Sequence, residues 1–386
     1  MNQPPLYLQG QDRIPDLLCL SHLRWNWVFQ RPQHLLTRAA QERRVVLMEE
    51  PLFETREQAA LERSQPRPNI TVATPRLPKH TSANRIDGVL RDLLDELIVE
   101  QGLADFVLWY YTPMALPFSE HLDPKVVVYD CMDQLSAFAG APPELLSLER
   151  ALLNRCDLLF TGGLSLHEAK RIGHPNAHCF PSSVDVGHFA QARQAGSDPD
   201  DQRDIPHLRL GYFGVIDERL DLRLIADVAR SCESWHILLV GPVAKIDERL
   251  LPHAPNIHYL GPKGYQDLPF YVAGWDVAWL PFAHNQATRF ISPTKTPEYL
   301  AAGKPVVSTS IRDVVRTYGQ GGYVYIADTA EDTIRAVKRS LLDDPLQRLA
   351  RVDRLLEDQS WDKTWGRMRD LIANVAPGTT LSAKAA

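Results

Sequence analysis

Ser292-Pro293-Thr294-Lys295-Thr296-Pro297-Glu298-Tyr299-Leu300-Ala301-Ala302-Gly303-Lys304-Pro305-Val306-Val307 is the stretch from which the fold can be read. Ser292 suits a helix N-cap, Pro293 suits the first helical position, and Pro297 comes early enough for its missing amide to be tolerated. Gly303 and Pro305 then end the helix before the apolar run that begins at Val306. A helix passing straight into a short buried run is one step of a strand and helix alternation.

The alternation continues outward on both sides. Short apolar runs stand at 17–21, 45–49, 70–73, 106–111, 126–129, 158–161 and 178–181, then at 208–213, 236–240, 258–260, 277–280, 306–308 and 323–326. They are hydrophobic throughout rather than at every second residue, as in strands covered by helices on both faces. Helix patterns at 32–41, 84–101 and 144–154 lie between them, the second with Ile86, Val89, Leu90, Leu93, Leu94 and Leu97 at helical spacing. Residues 191–206 turn polar around Gly196-Ser197-Asp198-Pro199, a composition that predicts an interdomain linker.

The expected fold is therefore α/β, with two Rossmann-like doubly wound parallel-sheet domains facing across a cleft. The boundaries are 1–184 for the first domain, 185–206 for the linker, 207–345 for the second domain, 346–375 for C-terminal helices and 376–386 for a disordered tail. Trp361 and Trp365, one helical turn apart, are expected to dock the last helix onto the body.

Composition narrows the function. At 386 residues, 44% hydrophobic and 23% charged, the chain reads as a soluble globular protein of two domains. A net charge of -6 argues against wholesale nucleic-acid binding. Met1 to Pro5 carry neither a basic segment nor an apolar one, so no signal peptide is expected and the default compartment is the cytoplasm. Cys19, Cys131, Cys156, Cys179 and Cys232 are widely spaced, as reduced thiols would be.

Several chemistries lose their support. Gly319-Gln320-Gly321-Gly322 precedes a strand instead of following one, and Val324 stands where a dinucleotide fingerprint needs glycine. No phosphate-binding G-x-x-x-x-G-K-[ST] loop or G-x-S-x-G elbow occurs. His167-Glu168-Ala169-Lys170-Arg171 has arginine where a zinc motif needs its second histidine, so no metal site is expected.

What remains is the pair Lys295 and Glu298, three apart on one helix face. Two readings fit the spacing. An ordinary exposed ion pair is one; the other sets the ammonium on a phosphate and the carboxylate on ribose hydroxyls, near a helix N-terminus that favours anions. Near the chain start, His22, Arg24, Trp25, Trp27, Phe29 and Arg31 follow a buried strand. These rings and cations either stack on and hydrogen-bond a sugar or phosphate, or pack the loop and stay solvated. Asp130 and Asp133 close another strand, where aspartates serve turns or meet ligand hydroxyls.

The stretch around Lys295 resembles the donor-binding motif of GT-B-fold retaining glycosyltransferases of family 4. Phe160-Thr161 and Pro181-Ser182-Ser183-Val184-Asp185-Val186-Gly187-His188-Phe189 resemble that family's crossover into its second domain, and Gly211-Tyr212-Phe213-Gly214 through Glu218-Arg219-Leu220-Asp221 resembles its phosphate-binding turn. Ser21 to Trp25, Gln30 to His34, and Tyr129-Asp130-Cys131-Met132-Asp133 are similar to a bacterial surface-polysaccharide subgroup.

The resemblance implies a metal-independent, retaining transfer of a sugar from a nucleotide-diphosphate donor, UDP-linked, to a saccharide or lipid-linked acceptor, without a resident cofactor. It also implies a peripheral place at the inner face of the membrane. Arg219, Lys295, Asp130 and Asp133 would be catalytic. Glu298, Ser292, Thr294, Gly214 and Arg289 would bind the donor, and His22, Arg24, Trp25 and Arg31 the acceptor or sugar. Phe290 stands where family members often carry a glutamate, and His22 and Leu23 stand near the usual glycine pair. A nucleotide-sugar epimerase of the same architecture and a catalytically silent binding partner are the alternatives.

Overall fold

The structure, a computed structural model, describes residues 14–194 and 196–375. The tail expected at 376–386 and the first residues, read for a leader, lie outside the described residues. The chain forms two sheets. In the first, β1 (Asp16–Ser21), β2 (Val45–Glu49), β3 (Leu52–Glu54), β4 (Ala60–Arg67), β5 (Ile70–Pro78), β6 (Phe106–Tyr110), β7 (Val126–Cys131), β8 (Leu158–Thr161) and β9 (Ala177–Cys179) take the order β3-β5-β2-β1-β6-β7-β8-β9, with β4 paired antiparallel to β5.

The second sheet runs β12-β11-β10-β13-β14-β15. Its strands are β10 (Arg209–Phe213), β11 (His236–Val240), β12 (Ile257–Gly261), β13 (Val277–Leu280), β14 (Val306–Ser308) and β15 (Tyr325–Ile326). Pairings other than β4 with β5 are parallel, Leu17 opposite Val45 and Val107 in the first sheet and Leu210 opposite Ile237 and Val277 in the second. At the middle of the two sheets, β1 with its Leu-Leu-Cys-Leu and β13 with its Val-Ala-Trp-Leu bury every residue because helices cover both faces, while the edge strands β3, β9, β12 and β15 are partly exposed. This is the GT-B architecture: two doubly wound parallel-sheet domains that face one another.

Strand order reverses between β1 and β6 and again between β10 and β13, and open α/β sheets bind ligands where that happens. The last helix, Trp361–Val375, crosses back to the first domain, where Trp361, Trp365, Met368 and Ile372 join its core beside Leu35 and Trp109. Trp361 stacks on His34 at 4.7 Å.

Three sequence expectations need correction. Residues 60–67 form an edge strand missed because its burial is almost wholly outward and it lacks an apolar run. The key helix spans Lys295–Ala301 with Thr294 as its N-cap, so Ser292 is not the cap. Ser292 is held out of the helix because its carbonyl accepts from the Ser182 hydroxyl of the first domain at 3.1 Å. Gly303 ends the helix as expected, with φ of 80°.

The segment read as a linker also packs. Phe189 and Ala192 sit in the core of the second domain. Gln202 is fully buried, its amide oxygen accepting from the Trp275 indole N–H at 3.0 Å and its amide nitrogen donating to the Tyr271 carbonyl at 3.0 Å. Asp198 pairs with the buried Arg209 guanidinium. Polar side chains pack here because each finds a partner on the domain that follows.

Candidate functional site

Between the domains lies a cavity of about 390 Å³, walled by the loops that follow β1, β7 and β8 on one side and β10, β11 and β13 on the other. Tyr299 sets one wall: fully buried in helix Lys295–Ala301, its hydroxyl accepts from the Phe213 N–H at 2.8 Å at the end of β10. That bond lays the first turn of the helix over Gly214. Gly214 has φ of 135°, and a Cβ there would stand 2.1 Å from Lys295 Cε, so only glycine lets the lysine cross.

Lys295, Glu298 and Asp133 all line the cavity, and none of the three side chains makes a hydrogen bond or ion pair within 4 Å among the described residues. Lys295 Nζ lies 5.5 Å from the Tyr212 ring centre. Burial pushes the Lys295 ammonium down from the ordinary lysine value, to about 8, with Arg219 adding to the fall and Glu298 opposing it. Burial pushes the Glu298 carboxyl up, to about 7, against the pull of Lys295. Asp133 is likewise raised by burial, while Arg219 and Lys295, from across the cleft, hold it down. Buried ionisable groups without partners are costly, and such groups mark a place where a ligand completes the pairing. The exposed surface pair is thereby ruled out.

Arg219 also lines the cavity. Its Nε and Nη2 grip Asp217 at 2.9 and 2.6 Å, which fixes the guanidinium and leaves Nη1 without a hydrogen-bond partner among the described residues. The Asp217 contact was not foreseen. Ser292, Thr294, Gly214, Trp25 and Arg31 complete the expected residues that reach the cavity.

Four do not. Asp130 is fully buried and receives Arg31 through Nε at 2.9 Å and Nη2 at 2.8 Å, so it is the anchor of Arg31 rather than a group facing the cleft. Arg31 Nη1 donates to the Phe180 carbonyl at 2.8 Å, so that this cation, though at the cavity wall, is consumed. Arg24 donates to Glu49 at 3.1 Å and to the Glu50 carbonyl at 2.6 Å, tying the loop after β1 to the end of β2. His22 lies outside the lining and is held neutral, burial and Lys245 lowering it to about 4. Arg289 is exposed and packs over Phe290 at 5.1 Å. Phe290 in turn packs on the apolar core of the first domain.

Lining residues not singled out beforehand include Val240-Gly241-Pro242 and Pro262 to Tyr265. An apolar run closing on glycine, as in Leu239-Val240-Gly241, was the available signal. Among the described residues, no three His, Cys, Asp or Glu side chains converge as a metal ion needs. No helix there is long and apolar enough to cross a membrane.

Residues 209–343 match the family of group 1 glycosyl transferases. A protein of Bacillus subtilis (strain 168), named for a part in teichuronic acid biosynthesis as a glycosyltransferase, is 28% identical over 305 residues, 74% of this chain and 72% of its own. Among solved structures, sucrose-phosphate synthase of Thermosynechococcus elongatus superposes with a TM-score of 0.70 at 13% identity, covering 94% of this chain and 99% of that one. A Burkholderia xenovorans trehalose-phosphate synthase in complex with glucose-6-phosphate gives 0.67 at 15%, over 92% and 99%. The Anabaena protein HepE in complex with UDP and glucose gives 0.66 at 14%, over 93% and 100%. The structural likenesses establish the GT-B fold; with the family match and the Bacillus relative they support a GT-B glycosyltransferase.

Proposed function

We propose that the chain is a retaining glycosyltransferase of family 4 that moves a sugar from a UDP-linked donor onto a saccharide or lipid-linked acceptor in surface-polysaccharide assembly. The observation that carries the reading is the half-buried, unpaired Lys295 ammonium crossing Gly214 beside Arg219 and the buried Glu298. In this reading Lys295 and Arg219 Nη1 take the diphosphate, Glu298 takes the ribose hydroxyls, and the nucleotide sugar is substrate rather than cofactor. HepE, whose structure holds UDP and glucose, and the Bacillus relative, named for a polysaccharide pathway, support the donor and the pathway. With no membrane-spanning helix among the described residues, a cytoplasmic protein meeting a lipid-linked acceptor would do so from the membrane surface.

The bond from the anomeric carbon to the diphosphate oxygen breaks as the acceptor oxygen bonds to the same face. The departing phosphate oxygen takes the acceptor proton, and Asp133 stands on the opposite wall to receive a sugar hydroxyl. Charge grows on the phosphate as the bond breaks, so two preorganised cations lower the barrier where that charge appears.

The test is UDP release from a panel of UDP-hexoses, with water as the default acceptor. Because protein cations serve the diphosphate, turnover is expected to survive EDTA. Lys295→Ala should lower kcat by about 10²-fold or more. Glu298→Gln should act chiefly on donor KM, since uniform binding leaves the chemical step alone. Wild-type constants in both folded variants would remove the donor site from this helix; interconversion of the UDP-hexose without UDP release would make the protein an epimerase.

A further inference from the structure

We propose that the acceptor is an uncharged saccharide and that Trp27 is the platform on which its ring stacks. The proposal deepens the glycosyltransferase reading and rests on it. Trp27 lines the cavity from the first domain yet is 50% exposed. Its indole makes no ring contact among the described residues, whereas Phe29, two residues on, stacks on Tyr265 of the second domain at 4.3 Å. An exposed indole is unremarkable on a mobile loop, but this loop is built rigid without it. Glu49 accepts from the Trp25 N–H at 2.7 Å, Gln33 donates to the carbonyls of Trp25 and Val28 at 2.9 and 3.1 Å, and Arg24 ties the loop to β2. The scaffold holds Trp27 at the cleft with half of its surface open and no aromatic partner among the described residues. A flat apolar face so presented fits the C–H face of a pyranose.

Charge on the same wall selects the kind of sugar. The cations of the loop after β1 are spent, Arg31 on Asp130 and Phe180, Arg24 on Glu49 and Glu50. What the first domain presents to the cavity is otherwise Trp25, Trp27, Phe29, amides such as Asn26, and the Asp133 carboxylate, which makes no hydrogen bond. That wall accepts hydroxyl donors and disfavours a phosphate. The unpaired cation of the cavity, Lys295, stands on the other domain with the donor residues. A phosphorylated acceptor, such as the glucose-6-phosphate in the Burkholderia xenovorans structure, would find, among the described residues, no unspent first-domain cation lining the cavity.

The probes are methyl glycosides of glucose, galactose, mannose and N-acetylglucosamine, and glucose 6-phosphate, each titrated onto the full chain saturated with UDP. At least one methyl glycoside should shift the indole emission and serve as acceptor from a UDP-hexose, with glucose 6-phosphate bound at least about tenfold more weakly. Trp27→Ala should weaken that glycoside by about tenfold or more while UDP affinity stays within about twofold, and Trp27→Phe should recover part of the loss. Equal glycoside affinity in Trp27→Ala, tighter glucose 6-phosphate, or no glycoside response at all would each overturn the proposal. A wild-type protein that fails to bind UDP would instead overturn the glycosyltransferase reading, so the two failures are separable.

Discussion

Lys295 is carried at a cost when no ligand is present. Its folded value lies below that of an unfolded lysine, so the half-buried ammonium opposes folding at neutral pH, and the penalty fades as pH rises between about 8 and the ordinary lysine value of about 10.4. Lys295→Met should therefore leave the melting temperature of the ligand-free protein unchanged or higher at pH 7, while abolishing the rise that UDP produces. A lower ligand-free melting temperature would instead make Lys295 a structural partner of Glu298. In the proposed donor site the Lys295 ammonium holds the diphosphate and the Glu298 carboxylate the ribose, so UDP affinity should fall above about pH 8 as the ammonium is lost and also below about pH 7 as the carboxylate is protonated. Lys295→Arg, whose charge does not titrate there, should flatten the alkaline fall; calorimetric titrations across the range read both. The sequence shows the spacing of Lys295 and Glu298 and the glycine at 214. It does not show that Arg31 is spent on Asp130, 99 residues away, or that His22 is neutral, because those outcomes belong to contacts between segments distant in the chain.

Strands and helices were legible where the pattern was apolar and local. β1, β2, β7, β8, β11 and β13 are continuous buried runs, and the sequence places them within a residue or two. The start of the key helix was not, since the Ser182 hydroxyl that holds Ser292 comes from the other domain. Nor was the packing of residues 185–206, where Gln202 is buried against Trp275 and the half-buried Asp198 pairs with Arg209. The helix Lys295–Ala301 depends on one anchor. Tyr299 supplies both bulk at the end of β10 and the acceptor for the Phe213 N–H. Tyr299→Phe keeps the ring and orphans a buried donor, which costs about 1–3 kcal/mol. Chemical denaturation should show that loss, and UDP affinity should fall with it because Lys295 and Glu298 ride on the same turn. A stable variant with weakened UDP binding would assign Tyr299 to positioning alone; unchanged stability and unchanged binding would show that the hydroxyl anchors nothing.

At the scale of the whole molecule, the two domains meet through a short set of contacts around the cavity. Asp313 of the second domain accepts from the Ser165 N–H at 3.0 Å and from its hydroxyl, capping the helix Leu164–Lys170 of the first. Glu168 of that helix pairs with Arg312 and Arg316 at 3.0 and 2.8 Å. The chain crosses between domains near Val184 and again near Ser360, and these crossings lie side by side, the Val184 N–H donating to the Gln359 carbonyl at 2.9 Å. Adjacent crossings make one hinge, and a polar interface away from it is the kind that opens. Asp313 is a sensitive point because it stands far from the hinge in sequence and satisfies a backbone N–H that otherwise has only water. Asp313→Ala should enlarge the ligand-free protein in small-angle scattering, and a saturating UDP-hexose should draw it back toward the wild-type profile, since in the proposed donor site its diphosphate meets Lys295 and Arg219 of the second domain and its sugar meets Asp133 of the first. Acid should not do the same to the wild type: burial raises the Asp313 carboxyl, so the docked form binds its proton more tightly than an opened, hydrated form would, and acidification does not open the clasp through this group. If the variant and the wild type scatter alike with and without the UDP-hexose, the domains are locked by something other than this clasp and the cavity admits its substrates without opening.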